Sequence, residues 1–366
     1  MANPDYQERE ADAVSEIKKA IPAKLKKDIV EESRGMFAEL YKNPLLPEHY
    51  VACAIDGVGT KLIVAQALEK YDTIGIDLVA MSANDLATLG QVSPFLFIDY
   101  FAVQEKSEEK AGEIMKGIVK GLEMCDVKDI LRNSINLNIG KGETASVDEL
   151  MTGVRVGSGF DIAGAMIGFI RREHLRTKVN AGDKIIALKS SGAHSNGYTD
   201  LRHHLLVGEF ESRLEFKRLY KGKHLLHDEF EDATIGEELL KPTAIYMQAA
   251  AEAAKKHEIV GFNNTGYGLK NLNRIRQNVE FRINSPIEPQ PIFKLMQEES
   301  RLSDEQMYKR FNMGMGFFVI AKKQDVDSIL RIAKKHEPQV VGEVKKSTKT
   351  RTVLIKGKEK IVYEGY

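Results

Sequence analysis

Residues 56–61 read Asp-Gly-Val-Gly-Thr-Lys, so an acid, two glycines, a hydroxyl and a lysine share six positions. Glycines such as Gly57 and Gly59 let backbone N–H groups approach an anion closely, and the N-terminus of a following helix adds positive potential. In such a turn Lys61 can neutralise a phosphate, while Asp56, a hard oxygen donor, can hold Mg²⁺. A plain glycine turn with a surface lysine is the competing reading. Further along, Asp77 and Asn84 lie seven apart, hence on one helical stripe, with Asp85 beside them. Gly142-Glu143 brings a second glycine and acid together. Lys189 to Tyr198 is dense in small polar residues around His194 and Asn196.

Neither G-x-x-x-x-G-K-[ST] nor G-x-G-x-x-G occurs. A phosphate site must therefore be assembled from turns distant in the chain. Acids or amides recur at those turns or the adjacent helix, namely Asp56, Asp85, Glu143 and Asn196, and Mg²⁺ is commonly held by a few carboxylates plus phosphates. His194 and Ser195 are neighbours whose side chains point apart, which argues against a nucleophile elbow. A histidine in a Ser/Gly loop can instead contact phosphate or move a proton near neutral pH. A loop histidine bonded to backbone is the plainer alternative. His224, His227 and Asp228 have helical-ligand spacing without further partners and read as a solvated face.

The elements that must position these residues follow from periodicity. Val51–Ile55 reads as a buried strand, Leu62–Tyr71 and Thr73–Gly90 as helices, Phe95–Val103 as a strand whose single charge is Asp99, and Lys110–Met124 as a helix. Ile135–Ile139 and Phe160–Ile170 are further strands. A fresh start at Ala181-Gly182-Asp183 leads into the strand Lys184–Leu188, then a helix from Thr199 to about Val207. A helix is expected from Pro242 to Lys256, a third glycine turn at Asn263–Gly268, and a β-α-β unit over Gly316–Val344. Residues 5–44 predict one or two amphipathic helices interrupted at Pro22. Residues 210–240 give no clear pattern.

A length of 366 residues suggests two domains, split as 1–172 and 173–366. The 53 basic and 53 acidic residues balance, which removes any global pull toward nucleic acid or an anionic membrane. The two cysteines, Cys53 and Cys125, form neither a metal pattern nor a disulfide framework, and a reduced, cytoplasmic protein fits. Met1–Val14 is polar and lacks a signal-peptide core, and Ile162–Ile170 is far short of the ~20 apolar residues of a membrane span.

Five ordered segments resemble phosphoribosylformylglycinamidine cyclo-ligases, the aminoimidazole ribonucleotide synthetases of purine biosynthesis. They are Asp56–Lys61, Asp72–Met81 with Asn84-Asp85-Leu86, Gly142–Ala145, Ser190–Tyr198 and Met307–Gly316. The resemblance implies an α/β (α+β type) fold of two halves, the N-terminal half giving strands to a barrel across a homodimer, with ATP near that junction. The implied reaction is ATP-dependent ring closure of formylglycinamidine ribonucleotide to aminoimidazole ribonucleotide. Phosphorylating the formamide oxygen makes it a leaving group, and the amidine nitrogen then attacks. Such chemistry needs charge neutralisation and positioning more than a covalent nucleophile. Carried over by motif, Asp56, Asp85 and Glu143 would hold Mg²⁺. Asp56, Gly57, Gly59, Thr60, Lys61, Asp77, Asn84, Asp85 and Gly142 would bind ATP, and His194, Asn196 and Lys61 would serve the reaction. Partners would be a small nucleotide substrate and a second copy of the chain, with neither nucleic acid nor membrane.

Several turns depart from the family pattern. The glycine-rich segment before the first strand is reduced to Arg34-Gly35-Met36-Phe37, paired glycines before Glu143 have become Lys141-Gly142, and a His-Ile-Thr-Gly-Gly-Gly turn reads Asn263-Asn-Thr-Gly-Tyr-Gly268. The Met-Pro stretch expected after Ala145 is absent. A sister ATP-dependent enzyme (formylglycinamidine synthetase, selenophosphate synthetase or thiamine-phosphate kinase type) and a non-catalytic nucleotide-binding relative are the alternatives.

Overall fold

The computed structural model describes residues 6–366. Met1–Asp5, the beginning of the polar N-terminal stretch, and residue 5 of the expected helical region lie outside the described residues.

Alternation of buried and exposed side chains along residues 160–171 marks a strand with one covered face. It belongs to a sheet made of β1 (Glu39–Lys42), β2 (His49–Gly57), β3 (Ser93–Val103), β4 (Asn138–Ile139), β5 (Glu143–Ser146) and β6 (Phe160–Arg171). The strand order is β1-β2-β6-β3-β4, with β5 also pairing with β3. Ala52, Ala54, Phe97, Phe101, Ile162 and Met166 fill the covered face, against which the helix Ile74–Ala87 packs. That helix is apolar nearly all round because the helix Ala111–Glu123 covers its other side. The opposite sheet face carries Ile55 and Tyr100, 71% and 43% exposed, together with half-exposed Ile98, Ile167 and Phe169.

The second sheet contains β7 (Lys184–Lys189), β10 (Ile259–Asn263), β11 (Val279–Ile283), β12 (Met315–Ala321), β13 (Gln339–Lys346), β14 (Arg351–Lys356) and β15 (Glu359–Glu364), in the order β10-β12-β7-β13-β11-β14-β15. Residues 210–240, unpatterned in the sequence, hold a short hairpin of β8 (Glu229–Phe230) and β9 (Ala233–Thr234). It leads into the helix Ile235–Leu239, which opens on a Thr234–Glu237 capping box.

Two expectations need correction. The helix predicted from Pro242 begins at Met247, because residues 243–246 lend their backbone to side chains of the first half. The strand predicted over Ile135–Ile139 is confined to Asn138–Ile139.

Candidate active site

Lys61 opens the helix Lys61–Leu68 and is completely buried. Its ammonium donates to Asp77 Oδ1 at 2.9 Å, to the His194 carbonyl at 3.1 Å and to the Lys241 carbonyl at 2.6 Å. Three protons meet three acceptors, so none is left for a phosphate in this arrangement. Burial pulls the ammonium pKa below its usual value, against the opposing pull of Asp77. In place of the expected phosphate contact, Lys61 ties the Asp56–Lys61 turn to two loops of the second half.

Asp77 completes the knot. Its Oδ1 accepts from the Thr243 amide at 2.7 Å, the Thr243 hydroxyl at 2.6 Å and the Ser195 hydroxyl at 3.1 Å. Asn84, one stripe along the same helix, donates to the Ala244 carbonyl at 2.8 Å and accepts from the Tyr246 amide at 2.9 Å. Asp77 and Asn84, expected at the nucleotide, instead fasten residues 243–246 to the helix Ile74–Ala87.

His194 is buried and held in the left-handed region at φ 59°. Its Nε2 accepts from the Ser191 amide at 3.3 Å, and its ring packs near Tyr246 and over Gly316, where any side chain would strike both. Burial, then the charges of Lys61 and His336, push its pKa down to about 3 from an ordinary value near 6.5. It stands here as a neutral imidazole. A depressed histidine pKa gives stability that is full above pH 6.5 and is lost as pH falls toward about 3. Replacing His194 by Asn, which tolerates this backbone, is therefore expected to flatten the acid-side fall of the urea midpoint across that window. Equal falls in both proteins would remove His194 as the cause.

The remaining predicted residues lie where the first half meets the second. Thr60 and Thr199 bring their hydroxyls within 3.3 Å of each other there. Gly59 has φ 69° and open space where a side chain would be. Asn196 turns its amide oxygen toward Gly266 of the Asn263–Gly268 turn. Asp56 accepts from the Gly57 amide at 2.8 Å and lies close enough to Asp85 for its charge to act there. Asp85 accepts from Asn263 at 2.8 Å, and its pKa is pushed up to about 7, chiefly by desolvation and also by Asp56.

Strand register decides the fate of the expected metal triad. Asp56, Gly164 and Asp99 are partners across β2, β6 and β3, so the two carboxylates share the covered face, roughly 10 Å apart at their Cα atoms. Gly164 leaves room that a side chain would contest with Phe97 and Leu78. Gly142 packs so closely that a Cβ would run into the Asp99 carboxylate. Glu143 pairs with Tyr100 and so points to the opposite, exposed face. Glu143 therefore does not join Asp56 and Asp85 within one chain. Among the described residues, no three His, Cys, Asp or Glu side chains form a ready-made metal site.

Asp99 is the residue the sequence reading passed over. It is half-buried, desolvation raises its pKa, and its Oδ2 has no hydrogen-bond partner. A lone acid in an apolar alternation, on the same face as its buried neighbours, was the available signal. Hard carboxylates, one of them with an orphaned oxygen, are the donor type that Mg²⁺ takes beside phosphates.

The chain matches the AIR synthase related protein N-terminal domain over residues 41–170 and the corresponding C-terminal domain over residues 180–355. It is 36% identical over 306 residues to phosphoribosylformylglycinamidine cyclo-ligase of Methanococcoides burtonii, covering 82% of this chain and 81% of the relative. The chain belongs to the phosphoribosylformylglycinamidine cyclo-ligase family. Another relative, the cyclo-ligase of Methanocaldococcus jannaschii, is 35% identical over 324 residues, 86% of this chain and 84% of its own. In fold, this cyclo-ligase family member is similar to the hydrogenase maturation protein HypE solved in complex with ATP. That likeness has a TM-score of 0.55 at 15% identity, covering 86% of this chain and 85% of HypE.

Proposed function

We infer that this chain is an ATP-dependent ligase that closes the imidazole ring of formylglycinamidine ribonucleotide to give aminoimidazole ribonucleotide, ADP and phosphate. The observation that carries the reading is the 36% identity, over most of both chains, to a protein named for this reaction. The ATP complex of HypE adds a nucleotide precedent on the same fold. Asp56 and Asp85, whose charges act on each other, would hold Mg²⁺, which when bound screens the negative charge of the triphosphate, and Asp99 lies on the same sheet face as Asp56. The open backbone around Gly59 leaves room for a phosphate, and Asn196 of the other half turns toward Gly266. His194, neutral and rigidly seated, serves as a hydrogen-bonding group rather than an acid, and Lys61 as a positioning residue. Incubating the purified protein with formylglycinamidine ribonucleotide, ATP and Mg²⁺ tests the reading. Ring product supports it; a different product, or ATP binding without turnover, overturns it.

A homodimer is part of the same proposal, as is the division at residues 172 and 173. The sheet face bearing Ile55, Ile98 and Tyr100 leaves neighbouring apolar side chains in water, which is unfavourable. A second copy would cover it, and Glu143 lies on that side, where it meets the partner. Ile55→Glu is expected to give a monomer by sedimentation with most activity lost, and an unchanged dimer would show that this face is not the interface. No helix among the described residues is long and apolar enough to cross a membrane. With Cys53 and Cys125 both free, a reducing cytoplasm suits the protein.

A further inference from the structure

Gly268, at φ 52°, lies against the backbone of Tyr308 and Lys309 so closely that a Cβ would strike the Tyr308 carbonyl. This contact locks the 3₁₀ helix Gly268–Arg274 to the helix Asp304–Arg310. It also brings Lys270 toward Lys309, both of them half-buried. Among the described residues neither lysine has an ion-pair partner. The acid at this edge, Asp200, is already held by Arg310 at 2.8 Å. Burial and the charge of Lys309 together lower the Lys270 pKa, as unneutralised neighbours must.

The position of this pair relative to Asn196 and Asp85 follows from its neighbours. Phe311 packs on Gly197, so residues 308–311 run from the Asn263–Gly268 turn to the loop of His194 and Asn196. Gly266 of the same turn faces Asn196, and Asn263 at its start holds Asp85. Two cations thus stand together in the second half, beside the turn whose other residues meet Asn196 and Asp85. Two like charges partly removed from water are unfavourable unless an anion joins them.

We propose that Lys270 and Lys309 form a subsite for a phosphate monoester, and that it receives the 5′-phosphate of the ribonucleotide substrate. The naming of the substrate rests on the reading above; the anion site rests on the side chains alone. The geometry separates two tasks. Carboxylates near Asp56 take the metal-bound triphosphate, while the lysine pair takes the far end of the molecule to be cyclised.

The test is calorimetric titration of the full-length protein with ribose 5-phosphate, beside steady-state kinetics. Lys270→Ala and Lys309→Ala are each expected to weaken ribose 5-phosphate binding by about tenfold, the loss typical of one charge-assisted contact. The KM for formylglycinamidine ribonucleotide should rise by a similar factor, with the KM for ATP unchanged. Lys270→Arg and Lys309→Arg should restore most of the affinity, and unfolding midpoints near wild type would show that the variants fold. No binding by the wild type, or equal binding by wild type and both alanine variants, overturns the subsite. Should the wild type fail to cyclise the ribonucleotide while ribose 5-phosphate binding still depends on both lysines, the subsite stands and the ligase reading falls.

Discussion

Lys61→Met should cost the protein about 3–5 kcal/mol of stability, the usual penalty for breaking a buried ion pair from one side. The methionine fills similar space but leaves the Asp77 carboxylate charged and buried, and it strands the carbonyls of His194 and Lys241. Ser195 and Thr243 still donate to Asp77, which is why the loss stays finite. The paired variant Lys61→Met with Asp77→Leu removes both charges and should recover much of the loss, since a well-packed apolar pair often equals a buried salt bridge. Urea midpoints of the wild type, both single variants and the double variant form the cycle. A cost below about 1 kcal/mol for Lys61→Met would mean that water reaches the ammonium and that the knot is not closed. Activity should fall together with stability, because the same ammonium holds the His194 carbonyl and fixes that loop against the Asp56–Lys61 turn.

The roles of Lys61, Asp77 and Asn84 show where the sequence stops being readable. A lysine after a glycine turn looks the same whether it faces a phosphate or a carboxylate. The acceptors that decide the matter here include carbonyls 133 and 180 residues away, and carbonyls carry no side-chain signature. Asp77 and Asn84 were rightly placed on one helical stripe, yet the stripe meets residues 243–246, whose alanine-rich continuation reads as helix from Pro242 on propensity alone. Tertiary hydrogen bonds overrode that propensity. The facing of Glu143 was hidden for another reason. Its strand is four residues long and its facing depends on register with β3, which a one-residue shift would reverse. What was legible depended on periodicity. The strands around Ala54, Phe97 and Met166 and the helix Ile74–Ala87 were readable because one face of each is continuously apolar. The same regularity could have picked out Asp99, the charge that interrupts it.

Asp85→Asn separates function from stability more sharply than any other substitution where the two halves meet. With its pKa raised to about 7 from an ordinary 3.8, the Asp85 carboxyl favours the protonated form in the fold. Its stabilising contribution is complete below pH 3.8 and is lost as pH rises through about 7. Asparagine cannot ionise, so the metal-free variant should be more stable than the wild type at pH 8 and should show no such gain near pH 4. Asn263, which donates to Asp85, can keep its partner in the amide oxygen. Catalysis should move the other way. A carboxylate that helps hold the ion against a triphosphate contributes about 3–4 kcal/mol to the transition state, so kcat should fall roughly 10²–10³-fold. Asp99→Asn should lower kcat as well, since Asp99 shares the covered sheet face with Asp56. Near-normal turnover in Asp85→Asn would take this acid out of the reaction. A variant less stable than wild type at pH 8 would show instead that the charged carboxylate, with Asn263 and Arg274 near it, is already compensated in the resting protein.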